Sequence, residues 1–337
     1  MKVGIPRALH YYYYEDLWLN FFKNLNIQTV VSPLTNKQII KQGIANTIDE
    51  ACYSSKIFIG HVEWLLDKCD LIFVPRIENV GLREEYCTRL FGIYDLVVNT
   101  FPQAKLLHAD INFLRRKKEP EAFAGIGAAL GKTPEEVTDA YVRATETFIN
   151  KKEQRILEQN KKLESKETKV LLVSHAYNTY DASIGQNVIK YFKENGAEVI
   201  FADIIDYKEA LLKAREAYKR IYWRANAELL GGLLTYKDKV DGIVLLSTFP
   251  CAPDSIINDL ILKSVKDKPI LQLMIDEQDA NAGLMTRLES FMDILNATNK
   301  TVAKPATDNP PGKFPSKIEG CCGSSGVCDK GANNGRN

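Results

Sequence analysis

Four apolar runs in the second half of the chain, Val170-Leu171-Leu172-Val173, Val199-Ile200-Phe201-Ala202, Gly242 to Leu246 and Pro269 to Ile275, have no alternation of polar and apolar residues. A strand that buries only one face alternates. A strand without alternation is covered on both, which requires a largely parallel sheet with helices on either side. Helical patterns separate these runs, the first from about Ala182 to Asn195, which Gly196 ends. The first half follows the same scheme, with Val3 to Ile5, Ile27 to Val31, Leu71 to Val74 and a run near Lys105 to His108. An α/β protein with two doubly wound lobes follows, and an internal pseudo-duplication is plausible.

With 337 residues the chain exceeds one typical core and has room for two. The expected organisation is a first α/β lobe at 1–117, a helical connector at 118–167 and a second α/β lobe at 168–300. Beyond Thr301 the composition turns to Pro, Lys, Asn, Gly and Asp, so 301–337 reads as a mobile tail. Lys and Arg number 44 against 43 Asp and Glu, a formal net charge of +1 without a basic block, which argues against a nucleic-acid partner. No stretch has the length and apolarity of a signal peptide or a membrane span, so a soluble, cytoplasmic protein with no membrane partner is expected. Seven cysteines without a secretion signal read as reduced thiols available to metal or catalysis.

Local signals place several helix ends. Thr35-Asn36-Lys37-Gln38 fits a capping box opening a short helix toward Gly43, and another helix should run from about Asp49 to Lys68 with Cys52 in its first turn. Ala124 to Thr133 resembles a phosphate-binding loop only superficially. A phosphate loop needs glycine where Ile126 stands, and a dinucleotide fingerprint needs glycine where Leu130 stands. Gly131 instead ends one helix, and Thr133-Pro134-Glu135-Glu136 starts the next.

Three cysteines remain. Cys52, Cys87 and Cys251 each fall just beyond the expected end of a buried strand, and such ends gather along one edge of a parallel fold. Thiolates converging there suit an iron–sulfur cluster. Cys52 near a helix start gains from exposed amides and the helix dipole, and Cys251 precedes a helix for which Asp254 or Ser255 is the expected cap. The same residues also fit small buried hydrophobes, as Cys69 does. No CxxC spacing ties them together, a zinc site completed by His61 or His175 stays open, and a catalytic cysteine lacks an assignable base. Cys321, Cys322 and Cys328 form the densest cluster, in the tail. Pro6-Arg7 and Pro75-Arg76 follow strands and either aim guanidinium groups at a site or satisfy helix ends.

Lys2-Val3-Gly4-Ile5-Pro6-Arg7-Ala8-Leu9, the Tyr11 to Tyr14 run, Asp49-Glu50-Ala51-Cys52, Gly60-His61-Val62, Phe249-Pro250-Cys251-Ala252-Pro253-Asp254 and Ala282 to Glu289 resemble the 2-hydroxyacyl-CoA dehydratase superfamily, and more narrowly its activase-related branch. The resemblance covers nearly everything to about residue 298. It implies two Rossmann- or flavodoxin-like lobes holding a 4Fe-4S cluster between them, with Cys52, Cys87 and Cys251 at the family's cysteine positions. In the superfamily the cluster takes one electron from an ATP-dependent activator protein and passes it to an acyl-CoA, where a ketyl radical permits difficult eliminations. The resemblance thus implies an electron-transfer role, a homologous second subunit and an acyl-CoA ligand. A non-catalytic subunit that binds a cluster or a partner is the alternative. No ATPase motif stands in this chain, so the activator is a separate protein.

Overall fold

In the computed structural model, which describes residues 1–82, 84–218, 221–278 and 281–302, the apolar runs become parallel strands. The first half runs β1 (Lys2–Ile5), α1 (Tyr11–Asn24), β2 (Gln28–Val31), α2 (Lys37–Ala45), α3 (Tyr53–Leu65), β3 (Leu71–Phe73), β4 (Arg76–Asn79), α4 (Thr88–Phe91), α5 (Ile93–Thr100), β5 (Leu106–Leu107) and β6 (Asp110–Asn112). Helices α6 (Glu119–Ala129) and α7 (Pro134–Leu163) follow. The second half runs β7 (Thr168–Val173), α8 (Ala176–Thr179), α9 (Gln186–Glu194), β8 (Ala197–Phe201), α10 (Tyr207–Ala217), α11 (Arg224–Tyr236), β9 (Gly242–Thr248), α12 (Ala252–Ser264), β10 (Ile270–Ile275) and α13 (Asn281–Val302). Residues Met1–Ala297 form one compact unit. Cys321, Cys322 and Cys328, and with them nearly all of the expected tail, lie outside the described residues.

The two four-stranded sheets have one topology. The first is ordered β2-β1-β3-β5 and the second β8-β7-β9-β10, so each runs second, first, third, fourth strand counted within its own sheet, all parallel. In that doubly wound order the chain reverses direction between its first and third strands, where the carboxyl ends of neighbouring strands open a crevice. A further two-stranded parallel sheet pairs β4 with β6. It prolongs the β3–β5 ladder past Pro75, which has no N–H to give: Val74 N–H reaches Leu107 O at 2.8 Å, and Arg76 N–H reaches Ala109 O at 2.7 Å.

Helix α7 begins as the sequence requires, with Thr133 and Glu136 in a reciprocal capping box and Pro134 in the first turn; Gly131 takes the left-handed φ of 71° that ends the preceding segment. It ties both halves together. Lys151 and Arg155 meet Asp16 of α1 at 2.5 and 3.0 Å, while buried Gln159 donates to Phe201 O at 3.0 Å and accepts from Phe201 N–H at 2.8 Å. The core of the first half is aromatic, with Phe21, Phe22, Phe73 and Phe123 fully buried and edge-on to one another. Helices α2 and α3 touch backbone to backbone at Gly43 and Gly60, where an added Cβ would lie 1.9 Å from Lys56 O and 2.0 Å from Ile39 O.

Two local expectations are corrected. Asn36, not Thr35, caps α2, accepting from Gln38 and Ile39 N–H at 3.0 and 3.2 Å. The Thr35 hydroxyl turns inward instead, 3.0 Å from His61 Nε2 and 2.5 Å from Asp181 Oδ2. Cys52 does not directly follow a strand either, because α2 lies between it and β2. Among the described residues no helix is long and apolar enough to cross a membrane.

Candidate functional site

Each of the three cysteines occupies the same local position, the residue immediately before a helix. Cys52 precedes α3, Cys87 precedes α4 and Cys251 precedes α12, all in extended backbone with ψ between 99° and 154°. None makes a side-chain capping hydrogen bond. The expected cap at Asp254 or Ser255 is corrected here, since both lie inside α12.

The structure brings all three together. Cys52, Cys87 and Cys251 line one cavity of about 330 Å³, with Tyr177, Trp223 and Arg89 completing its wall. Cys69 stands elsewhere, its thiol bonded to Leu65 O at 3.3 Å against Gly4. Links between the halves hold the cysteine loops in place. Tyr53 N–H donates to Phe249 O at 3.0 Å, joining the residue after Cys52 to the turn before Cys251. Ser54 Oγ lies 2.8 Å from Asn178 Oδ1 and 2.9 Å from Thr248 Oγ1. Arg224 N–H donates to Glu85 O at 2.9 Å, and its guanidinium pairs with Glu84 at 2.7 Å, fixing the segment before Cys87 to α11.

Burial dominates the electrostatics. The Cys87 thiol is pushed up to about 11 by burial, only partly opposed by the Leu90 amide, and the nearby Cys52 sulfur adds to the rise. Cys251 is raised further by burial and by the Asp254 carboxylate. Both are therefore neutral thiols at pH 7, the reverse of an activated nucleophile. Burial would raise Asp254 too, but the His175 ring beside it, with Asn226, holds its carboxyl below the usual range. His175 Nε2 lies 2.7 Å and Asn226 Nδ2 2.9 Å from Asp254 Oδ1, while His175 Nδ1 meets the Tyr13 hydroxyl at 3.3 Å. His175 also lines a small gap shared with Cys87 and Cys251.

The sequence reading missed this His175–Asp254–Asn226 group as a unit. A signal existed in the polar string Ser174-His175-Ala176-Tyr177-Asn178 directly after a buried strand. His61 is not in the cavity; it is buried in α3 and bonded to Thr35. Among the described residues no three His, Cys, Asp or Glu side chains stand close enough to hold one metal ion. Arg7 bonds Ser32 O at 3.0 Å and Arg76 pairs with exposed Asp95 at 2.9 Å, so neither guanidinium joins the cysteines.

Fold and cavity together define a doubly wound α/β protein with a thiol-lined site fed by both sheets. The chain belongs to the family described as CoA enzyme activase uncharacterised domain (DUF2229), whose model matches residues 2–205, and so to proteins related to CoA enzymes. No protein of curated function matches it. Among solved structures, the Streptococcus pneumoniae AdcAII protein is similar at 12% identity over 88% of this chain and 98% of that one, with a TM-score of 0.27. The laminin-binding protein Lbp of Streptococcus pyogenes follows at 12% identity, 88% and 97% coverage and a TM-score of 0.24. ZnuA follows at 10%, 88% and 98%, also with a TM-score of 0.24. These likenesses are too slight to carry an argument.

Proposed function

We propose that this protein is a 4Fe-4S redox subunit of the 2-hydroxyacyl-CoA dehydratase type, from the activase-related branch, with Cys52, Cys87 and Cys251 as cluster ligands. The observation that carries the reading is the convergence of three helix-preceding cysteines on one cavity. The donor set fits a cluster better than a single ion. A cubane presents separate iron corners to separate ligands, whereas a lone metal needs its ligands gathered within one coordination sphere. The helix starts of α3 and α12 beside Cys52 and Cys251 suit thiolate ligands, because each presents the positive end of a helix dipole. Burial that keeps the Cys87 and Cys251 thiols neutral also means that binding a cluster would release protons. When bound, the cluster supplies one-electron chemistry. The chain's own residues fix ligand geometry, exclude water and, through Tyr177 and Trp223, wall the site.

In this reading an ATP-dependent activator protein delivers one electron, and the same electron leaves to an acyl-CoA or to a homologous partner subunit. The second, non-catalytic reading, in which the chain only holds a cluster for a partner, is favoured by large apolar side chains exposed on all three cysteine loops. Ile48 is 63% exposed, Leu82 69% and Phe249 53%. Acyl-CoA turnover with activator and ATP would remove that second reading. The primary test is anaerobic purification with iron and sulfide analysis and electron paramagnetic resonance. The expected result is a brown protein with about four irons and four sulfides per chain that bleaches with dithionite. A colourless protein that takes up no iron on reconstitution overturns the proposal.

A further inference from the structure

A second cavity, of about 270 Å³, lies between α1, α7 and α11 and shares no lining residue with the cysteine-lined cavity. Its lining is both aromatic and charged. Tyr12, Tyr13, Tyr14, Tyr86, Tyr180 and Phe148 supply rings, and three cations face four carboxylates across it. All three cations already have carboxylate partners: Lys152 with Glu228 at 3.7 Å, Arg155 with Asp16 at 3.0 Å and Arg224 with Glu84 at 2.7 Å. Among the described residues no cation lies within ion-pair distance of the two other carboxylates, Glu119 and Asp203. Glu119 has only the Tyr141 hydroxyl, at 2.7 Å, and Asp203 Oδ1 is completely enclosed with no hydrogen-bond partner at all.

An enclosed carboxylate oxygen with nothing to accept from is a costly arrangement in a chain without a ligand. An anionic ligand would add to that cost, since every basic group here is committed. A single metal ion would need three donors grouped together, and none are among the described residues. Aromatic walls around carboxylates that have no ion-pair partner are instead the surroundings that recognise ammonium groups, through ring quadrupoles and charge-assisted hydrogen bonds. At about 30 Å³ of liquid volume per water, the space corresponds to about nine waters, enough for a small amine.

We propose that this cavity binds a small organic ammonium ion, with the ammonium group on Asp203, the carbon chain against the tyrosine rings, and Glu119 as the second acidic wall. Burial, reinforced by the Glu228 charge, holds the Asp203 carboxyl up near about 7, so an ammonium partner relieves a group that ionises at a cost. The site uses none of the cysteines, and its failure would leave the cluster reading untouched.

Calorimetric titration of the full chain with n-butylamine and 1,4-diaminobutane tests it, with butyrate and potassium chloride at matched ionic strength as controls. Saturable binding of the amines alone is expected, weakened at least tenfold in Asp203→Asn and in Glu119→Gln and unchanged in Cys69→Ser. No amine binding by the wild-type chain, an equal response to butyrate or potassium chloride, or full affinity in a folded Asp203→Asn or Glu119→Gln variant would each overturn the proposal.

Discussion

The two sheets share one strand order but divide the work differently. Strands of the second sheet run five to seven residues with unbroken registers, and β9 is buried along its whole length. Those of the first run two to four, broken at Pro75 and continued as the β4–β6 ribbon that leads into Cys87. The regular half contributes one cysteine, Cys251, on a turn held by backbone bonds; the interrupted half contributes two, on segments that depart from its sheet. The same topology can thus hold a scaffold on one side and spend regularity on site geometry on the other. What joins them is a small set of cross-links at the cysteine loops.

The largest expected effect tests whether the site is joint. Cys52→Ser, Cys87→Ser and Cys251→Ser should each lower iron content after anaerobic reconstitution by fivefold or more, whichever half the cysteine comes from, while Cys69→Ser leaves it unchanged. Iron and sulfide assays on the four variants decide it. Equal losses in all four would mean that damage to the fold, not ligation, is being read.

Much of the fold could be read from the residues because buried parallel strands announce themselves as apolar runs. Val170–Val173 and Gly242–Leu246 appear in the structure as parts of β7 and β9, and the Thr133 capping box and the Gly131 stop stand where local chemistry requires. The ribbon was invisible because Arg76-Ile77-Glu78-Asn79 contains no apolar run; it is defined by pairing with β6, over 30 residues away. The helix-capping positions of the cysteines were missed because cysteine is not among the residues that normally occupy them. Thr35 was misread because its neighbour Asn36 offers a better cap, freeing the threonine for a partner 146 residues distant. The His175–Asp254 pairing spans 79 residues and leaves no local trace.

Next in size is the ion pair that joins the halves through α3. Lys56 Nζ of α3 lies 2.7 Å from Glu277 Oε2, with side chains only 4% and 23% exposed. Removing one partner of such a pair strands a buried charge, so Glu277→Gln should destabilise the chain by about 3–5 kcal/mol, while the double change Lys56→Met with Glu277→Leu recovers most of that loss. Denaturant melts of the single and double variants measure it. Glycine contacts come after. Gly60→Ala on α3 and Gly232→Ala on α11 each press a methyl against a backbone carbonyl, of Ile39 at 2.0 Å and of Ala202 at 1.9 Å. Each should cost about 1–3 kcal/mol. Iron retention should fall in Gly60→Ala alone, because α3 carries Cys52; an equal fall in both would erase the distinction between site-bearing and scaffold halves.

Acid gives the smallest and most discriminating contrast, because the halves respond with opposite sign. In the first half, burial lowers His10 to about 4, and burial together with the Arg7 charge lowers His61 to about 3. Both rings are neutral when folded, so their stability is intact above about 6.5 and is lost as pH falls and the unfolded chain takes up the protons. At pH 5 this amounts to about 2 kcal/mol for each ring at most. In the second half, Asp203 is held near about 7 by burial and Glu228, with His175 and Lys152 pulling the other way. The folded chain therefore holds its proton more tightly than the unfolded one, and acidification from pH 7 stabilises, by about 2–3 kcal/mol at pH 5. The two rings together lose about 4 kcal/mol at most and Asp203 regains about 2–3, so the wild-type chain should lose about 1–2 kcal/mol between pH 7 and 5 and melt slightly lower. Asp203→Asn removes the opposing half. That variant should melt higher than wild type at pH 8 in the absence of ligand and lose stability steeply on acidification, while His61→Gln flattens the acid slope. Melting curves of the three proteins across pH 5–8 check the sign, and an Asp203→Asn profile parallel to wild type would show that the enclosed carboxylate does not titrate in that range.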